Sequence, residues 1–343
     1  MSVRHYKKRD EDQILKLFWK VFRKTMSYKE WKWKYLDNPN RHEIPFTLVF
    51  EEDGKILGHT SLWVHKAVID GEQKQIGLRI DTMVDPDARG KGIYRKLSER
   101  LIVDAEKEGI SLLYGFPAPK AKELQIRYIG AHHLTDVHRW VYMNKPFSVA
   151  ASKIKLLKVF SFLDPIYRFF KRPFKKRSKK VDQYIRKVNT FDREFSFSAL
   201  EEQVFLKRDT TYLNWRYVHH PINKYEILQW LEQDTVKGYV VYRTTTNEKN
   251  LRIGFIVDLV ATGENSDQIQ LHLLEKALEN MRSAHFIQAW TLPGQRIEKI
   301  FKKARFFQKD SPMPIVIRNI NLNNIDLNNP ANWFISMGDV DSF

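Results

Sequence analysis

The sequence contains no cysteine among its 343 residues. Without thiols, the chain cannot form disulfides, a cysteine zinc site, an iron–sulfur cluster or a cysteinyl intermediate. Long apolar runs are missing as well, because the longest, 156–170, is interrupted by Lys158, Asp164 and Arg168 and is too short and too charged to span a bilayer. The N-terminus is charged and lacks the apolar region of a signal peptide. These absences predict a cytoplasmic protein.

Acidic residues are scarce in one segment of an otherwise mixed chain. The whole sequence has 58 Lys+Arg against 41 Asp+Glu, a formal net charge of +17. Residues 151–190 hold 13 of the basic residues but only Asp164 and Asp182 as acids, and so carry +11 of this excess. Because the positive charge is confined to one segment instead of lining a domain surface, nucleic acid is not the expected partner.

Within this segment, residues 153–180 combine lysine and arginine with leucine, phenylalanine, isoleucine and tyrosine. Pro165 and Pro173 are expected to break it into short helical pieces. This composition is typical of segments that lie on an anionic membrane surface, and it would place the protein at the inner face of the cell membrane. A solvated linker whose apolar side chains cover the neighbouring domains is the alternative, and both interpretations stay open.

Two parts of the sequence contain the same motifs in the same order. A Trp-Lys/Arg-Tyr triplet begins at Trp33 and at Trp215, and a proline follows each tryptophan after six residues. Each part continues with a turn, a strand containing glycine, and a four-residue step from glycine to aspartate that ends at Asp81 or Asp258. A helix, an apolar strand and a second helix complete each part. The repetition predicts a duplicated α+β module.

The repeat predicts the domain organisation. We expect a first domain at 1–146, a basic linker at 147–188 and a second domain at 189–318. The asparagine-rich tail at 319–343 is expected to run as a loop over the surface, with Trp333 anchored in a groove and the tail packed for stability.

The loop between the predicted strand 76–84 and the next helix has the clearest chemical signature. It reads Arg89-Gly90-Lys91-Gly92. A strand that passes through a glycine-rich turn into a helix directs several backbone N–H groups, and the positive end of the helix dipole, at one point. The glycines permit close approach of a ligand, and Arg89 and Lys91 add charge. The spacing fits neither a Walker loop nor a dinucleotide fingerprint, so the loop predicts an anion site of another kind.

This loop resembles the pyrophosphate-binding loop of the GCN5-related N-acetyltransferases (GNAT), whose pattern is Gln/Arg-x-x-Gly-x-Gly/Ala. Arg89 and Gly92 match the pattern, whereas Tyr94 stands where the family usually has a small residue. The resemblance implies an α+β fold of two tandem GNAT-like domains, each with a mixed, mostly antiparallel central sheet flanked by helices. It also implies acetyl-CoA as co-substrate, no metal, and a binding site formed by Thr82, Met83, Val84, Arg89, Gly90, Lys91, Gly92, Ile93 and Tyr94.

The same resemblance implies two catalytic candidates. Tyr128 lies in Tyr128-Ile129-Gly130-Ala131, which resembles a family pattern in which a tyrosine near a helix-ending glycine protonates the departing thiolate; a neutral phenol can donate that proton. Asp81 lies on the strand beside the predicted CoA arm, where the family often has a general base. Because Asp258 occupies the same place in the other half, a structural role for Asp81 is the alternative. Further candidates for the base are His59, His65 and His138.

The second half lacks the features that would bind CoA. Its loop, Thr262-Gly263-Glu264-Asn265-Ser266-Asp267, carries Glu264 and Asp267, which would repel a pyrophosphate. Phe301 stands at the place of Tyr128, so the phenol is missing too. We therefore predict that the second domain is a degenerate copy that shapes the acceptor cleft.

These features favour an acyl-CoA-dependent N-acyltransferase that transfers acetyl by direct attack of a small-molecule or lipid-linked primary amine. Tyr212–Tyr217, His220-Pro221 and Gly338-Asp339-x-Asp341 resemble tandem acetyltransferase-like proteins associated with bacterial surface-polysaccharide synthesis, which implies an amino sugar as acceptor. One alternative is an aminoacyl-tRNA-dependent transferase of the Fem type, although such an enzyme needs no CoA loop. A non-catalytic membrane- or nucleic-acid-binding pseudoenzyme is the other.

Overall fold

The structure is a computed structural model, which describes residues 2–41, 45–170, 179–195, 203–323 and 325–343. The first half contains, in order, β1 (Ser2–His5), α1 (Glu11–Phe22), α2 (Tyr28–Tyr35), β2 (Thr47–Glu52), β3 (Lys55–Ile69), β4 (Glu72–Val84), α3 (Ile93–Lys107), β5 (Ile110–Gly115), α4 (Pro119–Ile129), β6 (His132–Asp136) and β7 (His138–Met143). A short 3-10 turn, Pro86–Ala88, precedes α3.

A connecting segment follows, with α5 (Pro146–Ala151), a 3-10 stretch (Lys155–Leu163), α6 (Asp164–Phe170) and α7 (Lys179–Asp182). Pro165 stands in the first turn of α6, where a missing N–H costs no hydrogen bond, so it helps to begin a helix instead of breaking one. Pro173 lies outside the described residues.

The remaining elements repeat the order of the first half. They are β8 (Ile185–Val188), β9 (Val204–Leu206), α8 (Thr210–Leu213), β10 (Glu226–Glu232), β11 (Thr235–Thr246), β12 (Arg252–Ala261), α9 (Ser266–Asn280), β13 (Phe286–Thr291), α10 (Ile297–Lys303), β14 (Phe307–Asp310), β15 (Pro314–Asn319) and β16 (Trp333–Phe334). A π-helical turn, Asn214–Val218, continues α8.

Local signals explain where these elements begin and turn. The Ser27 hydroxyl caps α2 by accepting a hydrogen bond from Glu30 N at 3.1 Å, as expected for an N-cap. The β2–β3 and β10–β11 hairpins turn through Asp53-Gly54 and Gln233-Asp234, and all four residues have positive φ, as a two-residue type I′ turn requires. The cap of α8 is the Asp209 carboxylate, which accepts from Tyr212 N at 2.9 Å.

The strands form two mixed, mostly antiparallel sheets, which confirms the predicted α+β class. The first sheet has the order β1-β2-β3-β4-β5-β15-β6, with β9 and β16 added beside the end of β3. The second sheet has the order β8-β10-β11-β12-β13-β7-β14. Position by position the two orders correspond. In each sheet the long antiparallel strands are followed by one parallel pair, β4–β5 or β12–β13.

Strands cross between the two halves, since β9, β15 and β16 of the C-terminal half join the first sheet and β7 of the N-terminal half joins the second. Strand β15 comes from the C-terminal half and lies between β5 and β6 of the first sheet. Strand β7 comes from the N-terminal half and lies between β13 and β14 of the second sheet. Each sheet therefore contains strands from both predicted domain ranges, 1–146 and 189–318. The ranges themselves stay a prediction.

The two halves meet through a symmetric contact of their matching tryptophans. The indoles of Trp33 and Trp215 stack with ring centroids 5.0 Å apart and an interplanar angle of 18°. The Trp33 Nε1–H donates to the Trp215 carbonyl at 2.8 Å, and the Trp215 Nε1–H donates to the Trp33 carbonyl at 3.0 Å. Both side chains are buried in a core that includes residues of both sheets. At this contact, the two matching segments of the sequence are therefore related by a local two-fold symmetry.

The C-terminal tail packs into the protein more deeply than a loop over the surface would. Its end is buried between the halves, where Arg208 Nη2 lies 2.7 Å from Asp339 Oδ2 and Arg216 donates to the carbonyls of Gly338 and Val340. Trp333 is buried, as predicted for an anchor. A sequence rich in asparagine suggested solvent exposure, but buried arginines from the second half supply partners for the polar groups of the tail.

We expect Trp33→Phe to lower the free energy of unfolding by about 1–3 kcal/mol, because the buried Trp215 carbonyl would lose its donor while most of the ring packing remains. Urea unfolding measures this effect. Trp19→Phe is the matched control, since Trp19 is 53% exposed and such a surface change should shift stability by less than about 0.5 kcal/mol. Equal stabilities of the Trp33 and Trp19 variants would contradict the importance of the tryptophan contact.

Candidate functional site

Strand β4 has one open edge near its C-terminal end. Its pairing with β5 ends at Leu78 and Tyr114, whereas its pairing with β3 continues to Val84. Residues 79–84 therefore have a strand partner on one side only, among the residues that the structure describes. The backbone groups of Thr82, Met83 and Val84, which were predicted to hold the CoA arm, lie in this half-paired stretch. Unpaired strand edges are where an extended ligand can add its own hydrogen bonds.

A bulge at Asp81 distorts β4 at the same place. The register with β3 shifts between His59 and Ser61, and Asp81 has a φ of +44°. The His59 ring supports the bulge, with Nδ1 2.8 Å from the Asp81 carbonyl oxygen. A bulge bends a strand and leaves backbone groups unpaired, and such bulges are common next to active sites.

The predicted anion loop has the geometry that its glycines suggested. Gly90 and Gly92 have φ values of +87° and +73°, and α3 begins directly afterwards at Ile93. Among the described residues, no side chain caps α3, and its first turn contains no acidic residue. The first N–H groups of the helix thus have no side-chain acceptor, which suits an anionic ligand.

Salt bridges fasten this loop to the neighbouring elements. Lys20 of α1 contacts both Asp85 and Asp87 at 2.6 Å. Lys91, predicted to face the pyrophosphate, has its Nζ 2.9 Å from the Glu52 carboxylate and is half exposed. Arg89 is exposed. Both predicted cations, Arg89 and Lys91, therefore lie at the loop, and the Lys91 ammonium is paired with Glu52 of β2.

The matching loop of the second half differs in the way that the sequence suggested. Asp267 lies in the first turn of α9, and its carboxylate is 2.7 Å from Arg296 Nε. A carboxylate already stands at this helix N-terminus and favours its dipole, so an incoming pyrophosphate would meet negative charge.

Asp81 is held in a buried network. Its side chain is 8% exposed and lies 2.6 Å from Lys34 Nζ, and it also accepts a hydrogen bond from the Tyr35 hydroxyl. Lys34 in turn contacts Asp341 of the C-terminal tail at 2.9 Å. Burial alone would raise the pKa of Asp81, but the Lys34 ammonium and the Tyr35 hydrogen bond outweigh it and lower that pKa.

The second half repeats the aspartate–tyrosine contact. The Tyr217 hydroxyl donates to Asp258 at 3.1 Å, and these two residues occupy the places of Tyr35 and Asp81 in the repeat. Because this half has no CoA loop, the shared contact favours a structural role for both aspartates. Catalysis by Asp81 stays a prediction.

Tyr128 lies in the last turn of α4, where this helix packs against α3. Its ring centroid is 5.9 Å from that of Tyr94, the residue that departs from the family pattern. The Tyr94 hydroxyl accepts a hydrogen bond from Arg79 Nη1 at 2.9 Å, and Arg79 also donates to Ser98 at 3.2 Å. The two predicted tyrosines are therefore brought together beside the open edge of β4, with Arg79 beneath Tyr94.

The three histidines named as alternative bases are not equivalent. His59 and His65 are buried, and burial lowers the pKa of both, that of His65 to about 3. His138 lies on β7 in the second sheet, with its Nδ1 2.8 Å from Glu298. His59 alone touches the β4 bulge, through its bond to the Asp81 carbonyl.

A cleft of about 500 Å³ opens beside Asp81 and is shared by both halves and the tail. Its walls combine apolar side chains with three carboxylates and two ammonium groups, and they include Phe18, Phe22, Lys24, Met26, Glu30, Trp33, Lys34, Asp81, His220, Ile222, Asn223, Asp341 and Ser342. Burial raises the pKa of Glu30. Burial, followed by the nearby arginines, lowers the pKa of His220 to about 3, so this ring is neutral.

Glu30, Asp341 and Arg79 did not emerge from the sequence. Glu30 lies in the first turn of α2, where an acidic residue is common because it stabilises the helix N-terminus. Asp341 reaches the cleft only because the tail is buried. Arg79 was an unmarked strand residue, yet it is buried without a carboxylate among its hydrogen-bond partners, and burial lowers its pKa.

The described part of the chain lacks both a metal-binding cluster and a membrane-spanning helix. It holds no group of three or more His, Asp or Glu side chains that could bind a metal ion. None of its helices combines the length and the apolar character that crossing a membrane requires.

Comparisons with known proteins agree with this geometry. Residues 2–122 match the model of the acetyltransferase (GNAT) domain family. An uncharacterized N-acetyltransferase of Methanocaldococcus jannaschii is 29% identical over 155 residues, which cover 42% of this chain and 66% of that protein. The matched region is thus less than two thirds of the archaeal protein.

Solved structures are similar over nearly the whole chain. A GCN5-related N-acetyltransferase from Anabaena variabilis has a TM-score of 0.63 at 10% identity, covering 93% of this chain and 73% of the other. Saccharomyces cerevisiae N-myristoyltransferase, solved with bound myristoyl-CoA, has a TM-score of 0.57 at 10% identity, covering 96% and 84%. The fold is therefore GNAT-like. In sequence, residues 2–122 are thus similar to the acetyltransferase (GNAT) domain family, and nearly the whole chain is similar in fold to the solved structures.

Proposed function

We propose that the protein transfers an acyl group, in the first instance acetyl, from acyl-CoA to a primary amine bound in the shared cleft. The observation that carries the proposal is the open edge of β4 beyond Leu78, which leads directly to the uncapped N-terminus of α3. One end of this path offers N–H groups to a pyrophosphate, and the other end reaches the bulge at Asp81, which borders the cleft.

The charge and shape of the cleft suit a cationic acceptor. Glu30, Asp81 and Asp341 outnumber the ammonium groups of Lys24 and Lys34 among the lining residues, and His220 is neutral. An ammonium ion approaching this wall is attracted to the carboxylates, while Phe18 and Phe22 provide apolar contacts. An amino sugar of a surface polysaccharide is the acceptor we propose, because its amine is charged and the rest of the ring is amphipathic.

Direct attack removes two protons from the acceptor ammonium and delivers one proton to the departing thiolate. We propose that Glu30 accepts the ammonium proton, since its raised pKa gives it more basicity than an ordinary carboxylate, whereas Asp81 is held ionised and paired by Lys34. The free amine then bonds to the thioester carbon, the carbon–sulfur bond breaks, and the CoA thiolate leaves, while the attacking nitrogen releases its second proton as it becomes an amide and so restores the proton that Tyr128 gives up. Tyr128 is proposed to protonate that thiolate.

We further propose that the chain consists of two tandem GNAT-like domains that exchange a strand, the second being unable to bind CoA. The matching strand orders and the carboxylate at the start of α9 support this interpretation. In this arrangement, the second domain contributes His220, Ile222 and Asn223 to the acceptor cleft.

Titration calorimetry with acetyl-CoA should reveal one site per chain. Gly92→Glu should abolish it, because a glutamate at φ +73° strains the loop and adds negative charge at the start of α3. Gly263→Glu, in the loop before α9 of the second half and also at a positive φ of +88°, is the control and should leave CoA binding intact. Two sites per chain, or loss of binding only in the Gly263 variant, would overturn the assignment.

Glu30→Gln should lower kcat/KM by about 100-fold at neutral pH and remove the acidic limb of the pH–rate profile. That limb arises because Glu30 becomes protonated as the pH falls through its raised pKa, and a protonated carboxyl cannot accept the ammonium proton. Retention of the full rate and of the same limb in Glu30→Gln would exclude this residue as the base.

Asp81→Asn should act mainly on stability, lowering the free energy of unfolding by about 3 kcal/mol because buried Lys34 would lose a partner. The pKa of Asp81 is lowered by folding, so its stabilisation is present at neutral pH and is lost as pH falls below about 3.9. Urea titrations at pH 7 and pH 3 should therefore show a gap between variant and wild type that narrows in acid. A gap that is constant with pH, or a catalytic loss without one, would contradict the structural role.

Tyr128→Phe should reduce kcat with unchanged affinity for acetyl-CoA, because the hydroxyl acts on the departing thiolate. Tyr94→Phe, which keeps the neighbouring ring and removes its hydrogen bond from Arg79, is the comparison variant. Steady-state kinetics with a series of amine acceptors provides the measurement. An unaltered kcat for Tyr128→Phe, with a loss in Tyr94→Phe, would transfer the proton-donor role to Tyr94.

A further inference from the structure

The segment between the two halves exposes an unusual number of large apolar side chains. Seven of them, all within sixteen residues, are between 45% and 85% exposed: Ile154, Leu156, Val159, Phe160, Phe162, Ile166 and Phe169. Monomeric proteins rarely leave large apolar surface together in water, and where they do the surface usually meets a partner. The alternative in which these side chains cover the neighbouring domains does not fit their exposure.

The segment is nevertheless folded and attached. The buried Asp164 carboxylate accepts hydrogen bonds from the backbone N–H groups of Phe147 and Ser148, at 2.9 Å and 3.1 Å, and so joins the start of α6 to the start of α5. Arg168 donates to the carbonyl of Arg282 in the second half. The helical segment 146–170, which we call the apolar hairpin, therefore presents its apolar side chains from a fixed base.

Charge selects among the surfaces that the apolar hairpin could meet. The only acid in 151–170 is Asp164, and its carboxylate is already occupied within the hairpin. Against this one acid, residues 151–170 hold the four basic residues Lys153, Lys155, Lys158 and Arg168. A bilayer containing anionic lipids complements this pattern, because its headgroups are negatively charged and its acyl chains are apolar.

We propose that the apolar hairpin docks the protein on an anionic lipid bilayer, with its exposed leucine, isoleucine, valine and phenylalanine side chains entering the headgroup boundary. The proposal is independent of acyl transfer. It concerns where the protein is held, and it requires neither a CoA site nor an amine acceptor.

Sedimentation with lipid vesicles tests the proposal on the full chain. The wild type should bind vesicles of phosphatidylcholine that contain about 30% phosphatidylglycerol, because this much anionic lipid gives the vesicle a strong negative surface potential. Binding to pure phosphatidylcholine should be about 10-fold weaker, and binding to the anionic vesicles should weaken as salt is raised. The double variant Leu156→Glu/Phe162→Glu should lose about 10-fold or more of the anionic binding, since it removes apolar area and adds negative charge.

Val103→Glu is the matched control, because Val103 is 60% exposed on α3 and lies outside the hairpin; its vesicle binding should equal that of the wild type. Near-ultraviolet circular dichroism and calorimetry with acetyl-CoA verify that each variant is folded. Equal vesicle binding by the wild type and the double variant would overturn the proposal. So would a dimer in sedimentation velocity that the double variant dissociates while no form binds vesicles, because the hairpin would then pair two copies of the chain.

Discussion

The reciprocal contact of Trp33 and Trp215 is the interaction on which the rest of the structure depends. Each indole N–H satisfies the backbone carbonyl of the other tryptophan, so the two matching helical segments are fixed back to back at the centre of the core. That alignment sets the next residues of each triplet, Lys34 and Arg216, against the buried C-terminal tail. It also brings His220 and Asn223 of the second half to the cleft beside Asp81, so the site is built from both halves.

Symmetry in the fold coexists with asymmetry in the chemistry. The sheets have matching strand orders, and both halves keep the tyrosine–aspartate contact. The halves differ in chemistry at the helix that follows β4 in the first sheet and β12 in the second. There α3 begins after two glycines with no acid in its first turn, whereas α9 begins with Asp267 paired to Arg296. The two halves thus share structural contacts, whereas the two helix N-termini differ in charge.

Local chemistry explains what could be predicted from the sequence. The hairpin turn at Asp53-Gly54 and the glycine loop before α3 are specified by residues adjacent in the chain, and the structure confirms both. The exchange of β7 and β15 could not be predicted, because an apolar strand pattern does not specify which sheet it joins. The place of Asp341 in the cleft could not be predicted for a similar reason: it depends on a neighbour distant in the chain, and the asparagine-rich tail gives no sign that its end is buried against Lys34.

The central claim is that CoA lies along the open edge of β4 and at the N-terminus of α3, and that the second half offers no such place. Amide hydrogen exchange with and without acetyl-CoA tests it most directly, because the method reports backbone N–H groups one segment at a time. The account predicts new protection in residues 82–84 and 90–95, with no change in 259–267. Protection in 259–267, or none in the loop before α3, would contradict it.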